Sequence, residues 1–158
     1  MKKFIYFFAT WGYLGRSPKA PGTVGTIGTL PLAYLFYQFN DYGYVIATFV
    51  FTLFSLFICI AYENVFQTHD PQEVVIDEVA GFLIAMTLLP FTWQAILLAF
   101  VLFRVLDILK PFPIGWADKK IKGGLGVLAD DIFAGVFSNV ILQIVYVKTS
   151  WLGAQLVQ

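Results

Sequence analysis

The stretch Val79-Ala80-Gly81-Phe82-Leu83-Ile84-Ala85-Met86-Thr87-Leu88-Leu89-Pro90-Phe91-Thr92-Trp93 begins an uncharged apolar run over 79–103. The run is long enough for one membrane crossing, which takes about 20 residues as a helix. Pro90 argues against that, because a proline removes a helix donor and clashes with the preceding turn. Charge placement separates the two readings. If 79–89 and 93–106 form a helical hairpin, Lys2, Lys3, Arg16, Lys19, Arg104, Lys110, Lys119, Lys120 and Lys122 fall on one side and only Lys148 on the other. A single crossing throws 104–131 to the opposite face, erases this asymmetry and leaves Asp107 roughly 30 Å from Asp77. The hairpin is therefore expected, with its basic side cytoplasmic by the positive-inside rule.

The whole composition agrees with an apolar environment. Of the 158 residues 59% are hydrophobic and 13% charged, against roughly 45–50% and 25% in soluble domains. The sequence predicts an all-α, multi-helical integral membrane protein of one domain, 1–158, with short, partly embedded helices and a polar catalytic end at the cytoplasmic interface. Other uncharged runs lie at 25–39, 42–62 and 132–147, and of these only 42–62 is a comfortable full span. The N-terminus starts with Lys2 and Lys3, but its apolar stretch is short and no clean cleavage site follows, so it reads as retained. Trp11, Tyr13, Tyr42, Tyr44, Tyr62, Trp93 and Trp116 lie near the ends of apolar runs, as interfacial or core aromatics. Zero formal net charge and no long basic run exclude a nucleic-acid footprint. Cys59, alone in an apolar segment, reads as a small buried hydrophobe.

Against this background two acidic pairs stand out. Asp77-Glu78 and Asp130-Asp131 each open an apolar run, and each leads into Ala-Gly, at Ala80-Gly81 and Ala134-Gly135. Two similar helix starts facing each other would bring their carboxylates together, and converging carboxylates need a cation. Arg104, Asp107 and Lys110 follow at i, i+3 and i+6, so Arg104 and Lys110 flank Asp107. They can hold a phosphate while Asp107 holds a metal, or form an ion-pair ladder with snorkelling bases. In Ser17-Pro18-Lys19-Ala20-Pro21-Gly22-Thr23, and on to Gly25-Thr26 and Gly28-Thr29, Lys19 and the Gly-Thr repeats make an anion cradle, a close-packing helix capped by Thr23, or both, since a cap does not exclude phosphate contact. Gly123-Gly124-Leu125-Gly126 reads as a flexible loop delivering Asp130-Asp131. His69 reads as a turn residue, and Glu63, Asp70, Glu73 and Asp41 as solvated charges. Hard oxygen ligands without a histidine or cysteine cluster favour Mg2+.

With these residues laid out, the chain resembles the phosphatidylglycerophosphatase A family over most of its length. The likeness rests on four ordered motifs: Ser17-Pro18 through Ala20-Pro21-Gly22-Thr23; Asp70-Pro71 leading to Val75-Ile76-Asp77-Glu78 and Gly81; Phe103-Arg104 with Asp107, Lys110-Pro111 and Pro113; and Gly123-Gly124 through Gly126-Val127 to Asp130-Asp131 and Ala134-Gly135. Leu106 stands where phenylalanine is frequent and Leu128 where methionine is, both outside the polar set. The resemblance implies a Mg2+-dependent phosphatase that turns phosphatidylglycerophosphate in the bilayer into phosphatidylglycerol and phosphate, in the bacterial cytoplasmic membrane with its active site facing the cytoplasm.

On that reading Asp77, Glu78, Asp107, Asp130 and Asp131 hold metal or orient water, with Asp77, Asp107, Asp131 and Lys110 at the chemistry, while Lys19, Thr23, Arg104 and Lys110 bind the substrate phosphate. One Mg2+ usually keeps several waters, so either some of the five stand back from the ion or two ions bind. A homo-oligomer is an open alternative to a monomer. The rival functions are an ion or proton pathway through intramembrane carboxylates and a scaffold that binds without turnover. Acids clustered at run ends beside Arg and Lys favour the enzyme.

Overall fold

In a computed structural model describing residues 1–68 and 71–153, every regular element is helical. The decisive stretch forms the hairpin. Helix α5, Ile76–Ala85, ends at Met86, and α6, Trp93–Leu109, starts after Pro90 with Thr92 as its cap. The Thr92 hydroxyl accepts from the Ala95 N–H at 3.2 Å and donates to the Leu152 carbonyl at 2.6 Å, which ties the bend to the chain's C-terminal segment. Arg104, near the end of α6, reaches Glu78 in the first turn of α5 at 3.2 Å. Only an antiparallel pair allows that contact, so the single crossing is excluded.

The remaining helices are α1 (Lys2–Ala9), α2 (Pro21–Gly28), α3 (Leu30–Tyr37), α4 (Asp41–Phe66), α7 (Ile114–Lys120) and α8 (Gly124–Lys148). The 25–39 run is divided because Pro31 has no N–H to continue a helix and instead sits in the first turn of a new one. Helix α5 lies at the centre, with Ile76, Val79, Ala80, Phe82, Leu83 and Ala85 fully buried. The Tyr44 hydroxyl donates to the Leu83 carbonyl at 3.0 Å, joining the start of α4 to the end of α5. Helix α1 packs on the other half of α4 through Ile5, Ala9, Ile58, Cys59 and Tyr62.

Two expectations about α8 are overturned. Gly123-Gly124-Leu125-Gly126 is no flexible loop, since the helix begins at Gly124. The glycines are there for packing: a Cβ at Gly124 would run into the Ile60 and Cys59 backbone, and one at Gly126 into the Ile121 carbonyl. As a result α8 is 25 residues long, about 38 Å at 1.5 Å per residue. Both α4 and α8 are long and apolar enough to cross a membrane, not the 42–62 run alone. Their outer faces expose Ile46, Phe49, Val50, Phe57, Val140 and Ile144. The aromatics divide: Tyr44 and Tyr62 are core residues, whereas Tyr13, Tyr42, Trp93 and Trp116 are exposed. Cys59 is buried, as expected. His69 and Asp70 lie outside the described residues.

Helices α5 and α8 touch backbone to backbone. A Cβ on Gly135 would meet the Gly81 carbonyl, and one on Gly81 would meet the Phe103 ring and the Asp131 carbonyl. Because this contact is backbone on backbone, Gly135→Ala is expected to cost about 1–3 kcal/mol by overpacking. Ser138→Ala, one turn on, removes a buried hydroxyl with no hydrogen-bond partner and should be neutral or slightly stabilising. Unfolding midpoints of the two purified variants in one detergent decide; equal midpoints would show that the crossing relaxes freely.

Candidate active site

Three helix segments carry charge to one place. The first turn of α5 supplies Asp77 and Glu78, the end of α6 supplies Arg104 and Asp107 with Lys110 just beyond, and the second turn of α8 supplies Asp130 and Asp131. The last pair is not at a helix start, as its sequence had suggested, because α8 begins six residues earlier. All seven groups line a single cavity of about 440 Å³, closed on another side by Ala20, Pro21, Gly22 and Gln72. The close α5–α8 crossing makes this possible: no side chain separates the helices that carry the two acidic pairs.

The bases are already engaged. Arg104 Nη1 donates to Asp107 Oδ2 at 2.7 Å and to Glu78 Oε1 at 3.2 Å. Thus the expected i, i+3 pair on α6 exists and is extended across to α5. Lys110 does not turn to Asp107. It takes a left-handed backbone, φ 43°, at the end of α6, and its Nζ donates to Asp130 Oδ2 and Asp118 Oδ1, both at 2.6 Å. Partial burial opposes the Lys110 charge, but the bonds to Asp118 and Asp130 more than offset it and hold the ammonium above the usual lysine range. These bonds favour the charged form of Lys110.

Five carboxylates face two cations in this cavity. Asp130 Oδ1 and Asp131 Oδ1 are buried acceptors with no hydrogen-bond partner. Buried carboxylates with like-charged neighbours are costly unless a proton or a cation joins them. Among the described residues no three Asp, Glu, His or Cys side chains stand close enough to hold one ion between them. A Mg2+ site does not demand three, since this ion is commonly held by one or two carboxylates, waters and substrate phosphate. The unpartnered oxygens of Asp130 and Asp131 fit that smaller donor set.

Two expected phosphate contacts fall outside the cavity. Lys19 is exposed and Thr23 lies within α2, neither lining the wall. Thr23 is not the cap either: Ala20 holds that position at φ 48° with no side-chain cap bond. The glycines do pack closely: a Cβ on Gly22 would strike Glu78 and Arg104 and one on Gly25 would strike Val75. Sequence reasoning missed Asp118, whose link to Lys110 spans a helix boundary, and Gln72. It also took Glu73 for a solvated charge, whereas Tyr6 and Tyr62 both donate to its carboxylate at 2.6 Å. Tyrosines at helical positions facing a carboxylate leave no period to read.

The family model for phosphatidylglycerophosphatase A matches residues 7–146. The chain belongs to the phosphatidylglycerophosphatase A family. It is 36% identical over 100 residues to the phosphatidylglycerophosphatase A of Haemophilus influenzae, covering 63% of this chain and 61% of that protein. With the Escherichia coli phosphatidylglycerophosphatase A it shares 40% over 89 residues, 56% of this chain and 52% of the relative. A Bacteroides thetaiotaomicron protein provisionally named a phosphatidylinositol-3-phosphatase is 39% identical over 79 residues, 48% of either chain. The chain thus spans between about half and three fifths of the length of the curated relatives it matches. No solved structure matches it. The family's match takes in every charged group of the cavity.

Proposed function

We propose that this chain is a lipid phosphomonoesterase that hydrolyses phosphatidylglycerophosphate to phosphatidylglycerol and phosphate in phospholipid synthesis. The observation that carries the reading is the gathering of Asp77, Glu78, Asp107, Asp130, Asp131, Arg104 and Lys110 in one polar cavity at the end of apolar helices. The substrate follows from the names of the two family relatives. Exposed apolar faces on α4 and α8 suit a bilayer, and the lysine and arginine asymmetry supports a cavity facing the cytoplasm from the bacterial inner membrane.

In the reaction a water oxygen bonds to phosphorus, the bond from phosphorus to the glycerol oxygen breaks, and that oxygen takes up a proton. Arg104 and Lys110 exchange carboxylate partners for phosphate oxygens and balance the charge that moves onto them in the transition state. Carboxylates released from these pairs orient the attacking water and accept its proton. Asp130 and Asp131 would hold Mg2+, which when bound supplies charge neutralisation at the phosphoryl oxygens. Asp118 holds Lys110 from outside the cavity lining through its 2.6 Å hydrogen bond. A conduction path would place acids along the depth of the helices; here they lie together at one end.

The direct test is phosphate release by the purified protein from phosphatidylglycerophosphate, with phosphatidylinositol 3-phosphate in parallel. Release from the first lipid is expected to be the faster; no release from it would sink the reading. Topology is checked separately. Thr68→Cys and Lys120→Cys should both label from the cytoplasm, and Lys148→Cys from the opposite side. The native Cys59 is buried and adds little background. Labelling of Thr68→Cys and Lys120→Cys from opposite faces would refute the proposed orientation.

A further inference from the structure

Beside the acidic cavity lies a second cleft of about 360 Å³, lined by Arg16, Ser17 and Glu73 and sharing Ala20, Pro21 and Gln72 with the first. The two spaces therefore meet along one wall. Arg16 ends a tight turn, Leu14–Arg16, that is fixed in place: Gly15 donates to the Thr10 carbonyl at 3.0 Å, and a Cβ on Gly15 would collide with the Glu73 carbonyl. Among the described residues the Arg16 side chain makes no ion pair, while Arg104 and Lys110 are both held by carboxylates. Glu73 is the one acid lining the cleft, and the Tyr6 and Tyr62 hydroxyls each donate to one of its two oxygens. The Ser17 hydroxyl donates to the Lys19 carbonyl. Phe7, Tyr13, Leu14 and Ile27 are exposed around this turn. Such a mixture of aromatic and aliphatic side chains beside an arginine belongs at headgroup depth.

The geometry points to Arg16 as the subsite for a second anionic group of the substrate, the phosphodiester that joins the headgroup to the diacylglycerol. The inference rests on the lipid phosphatase reading above and gives it a basis for choosing among lipids. Phosphatidylglycerophosphate carries two phosphates separated by a glycerol. Once the terminal monoester occupies the acidic cavity, the other phosphate extends away from it, and the adjoining cleft offers a guanidinium whose planar fork matches two phosphate oxygens. Gln72, lining both spaces, lies where the linking glycerol would pass. Phosphatidic acid, with a single phosphate attached directly to diacylglycerol, has nothing to place there.

The test compares Arg16→Gln with the wild-type chain in phosphatidylcholine vesicles, using phosphatidylglycerophosphate as substrate and phosphatidic acid as substrate or as competing ligand. Arg16→Gln should lower kcat/KM for the diphosphate lipid about tenfold or more, mainly through KM, as loss of a charge-assisted hydrogen bond implies. Phosphatidic acid should bind or turn over within about twofold of wild type, and Arg16→Lys should recover part of the loss. An equal change for both lipids would make Arg16 only an interfacial anchor and overturn the subsite, as would no change for the diphosphate. If wild-type protein releases no phosphate from phosphatidylglycerophosphate, the lipid phosphatase reading falls first and the subsite with it.

Discussion

Asp131→Asn is expected to lose phosphate release by at least about a hundredfold, on the order of 2.7 kcal/mol in the barrier, while keeping or slightly gaining fold stability. The two effects have opposite signs for one reason. Asp131 is 3% exposed, its Oδ1 accepts no hydrogen bond, and it shares the cavity with four other carboxylates. An amide of the same shape relieves that crowding, but it also removes the charge that would hold a cation and an oxygen able to take a proton. Asp107→Asn should lose as much turnover but behave differently on unfolding, because it takes the negative charge out of the 2.7 Å pair with Arg104, weakening a charge-assisted hydrogen bond that contributes about 1.5–3 kcal/mol. Asp41→Asn, in the first turn of α4 and far from the cavity, is the control and should leave both measurements unchanged. Near-normal phosphate release by folded Asp131→Asn and Asp107→Asn would mean that the chemistry lies elsewhere.

Chelation should abolish turnover, and Mg2+ should restore it, with Mn2+ also effective because it accepts the same oxygen donors. A second readout does not depend on catalysis. An ion that binds the folded chain raises its unfolding midpoint with concentration, and this rise should be lost in Asp131→Asn. Wild-type protein that keeps full activity in metal-free buffer would remove the cation from the mechanism. A midpoint that rises equally in wild type and Asp131→Asn would move it away from α8.

The hairpin was legible because two independent signals agreed: Pro90 broke the run, and the lysines and arginines fell to one side only if it folded back. The charged set of the cavity was legible too, since isolated acids in an apolar chain are few and those at Asp77-Glu78 and Asp130-Asp131 lead into the same Ala-Gly step. What misled was glycine. Gly123 to Gly126 looked like a hinge by conformational freedom, yet Gly124 and Gly126 are there because a neighbouring backbone leaves no room for a side chain. That error shortened α8 and placed its acids at a helix start. Partners set by tertiary contact, Lys110 with Asp118 and Glu73 with two tyrosines, join separate elements. No local periodicity foreshadows them. The Thr23 cap failed for a related reason: Pro21 starts the helix, so Thr23 lies inside it and Ala20 takes the cap position.

Arg104 and Lys110 each bridge two carboxylates. Such a cavity treats inorganic phosphate as a rival to its own side chains. Every phosphate oxygen that gains a cation displaces an aspartate or glutamate, and that displaced group stands ready to return. Binding of a bare phosphate is thereby expected to be weak, while the proposed lipid substrate would make up the difference with contacts along its tail and headgroup. On the proposed activity, those contacts would leave with the lipid once the ester bond is cut, the carboxylates would reclaim their bases, and the product would be expelled by the same charges that received it.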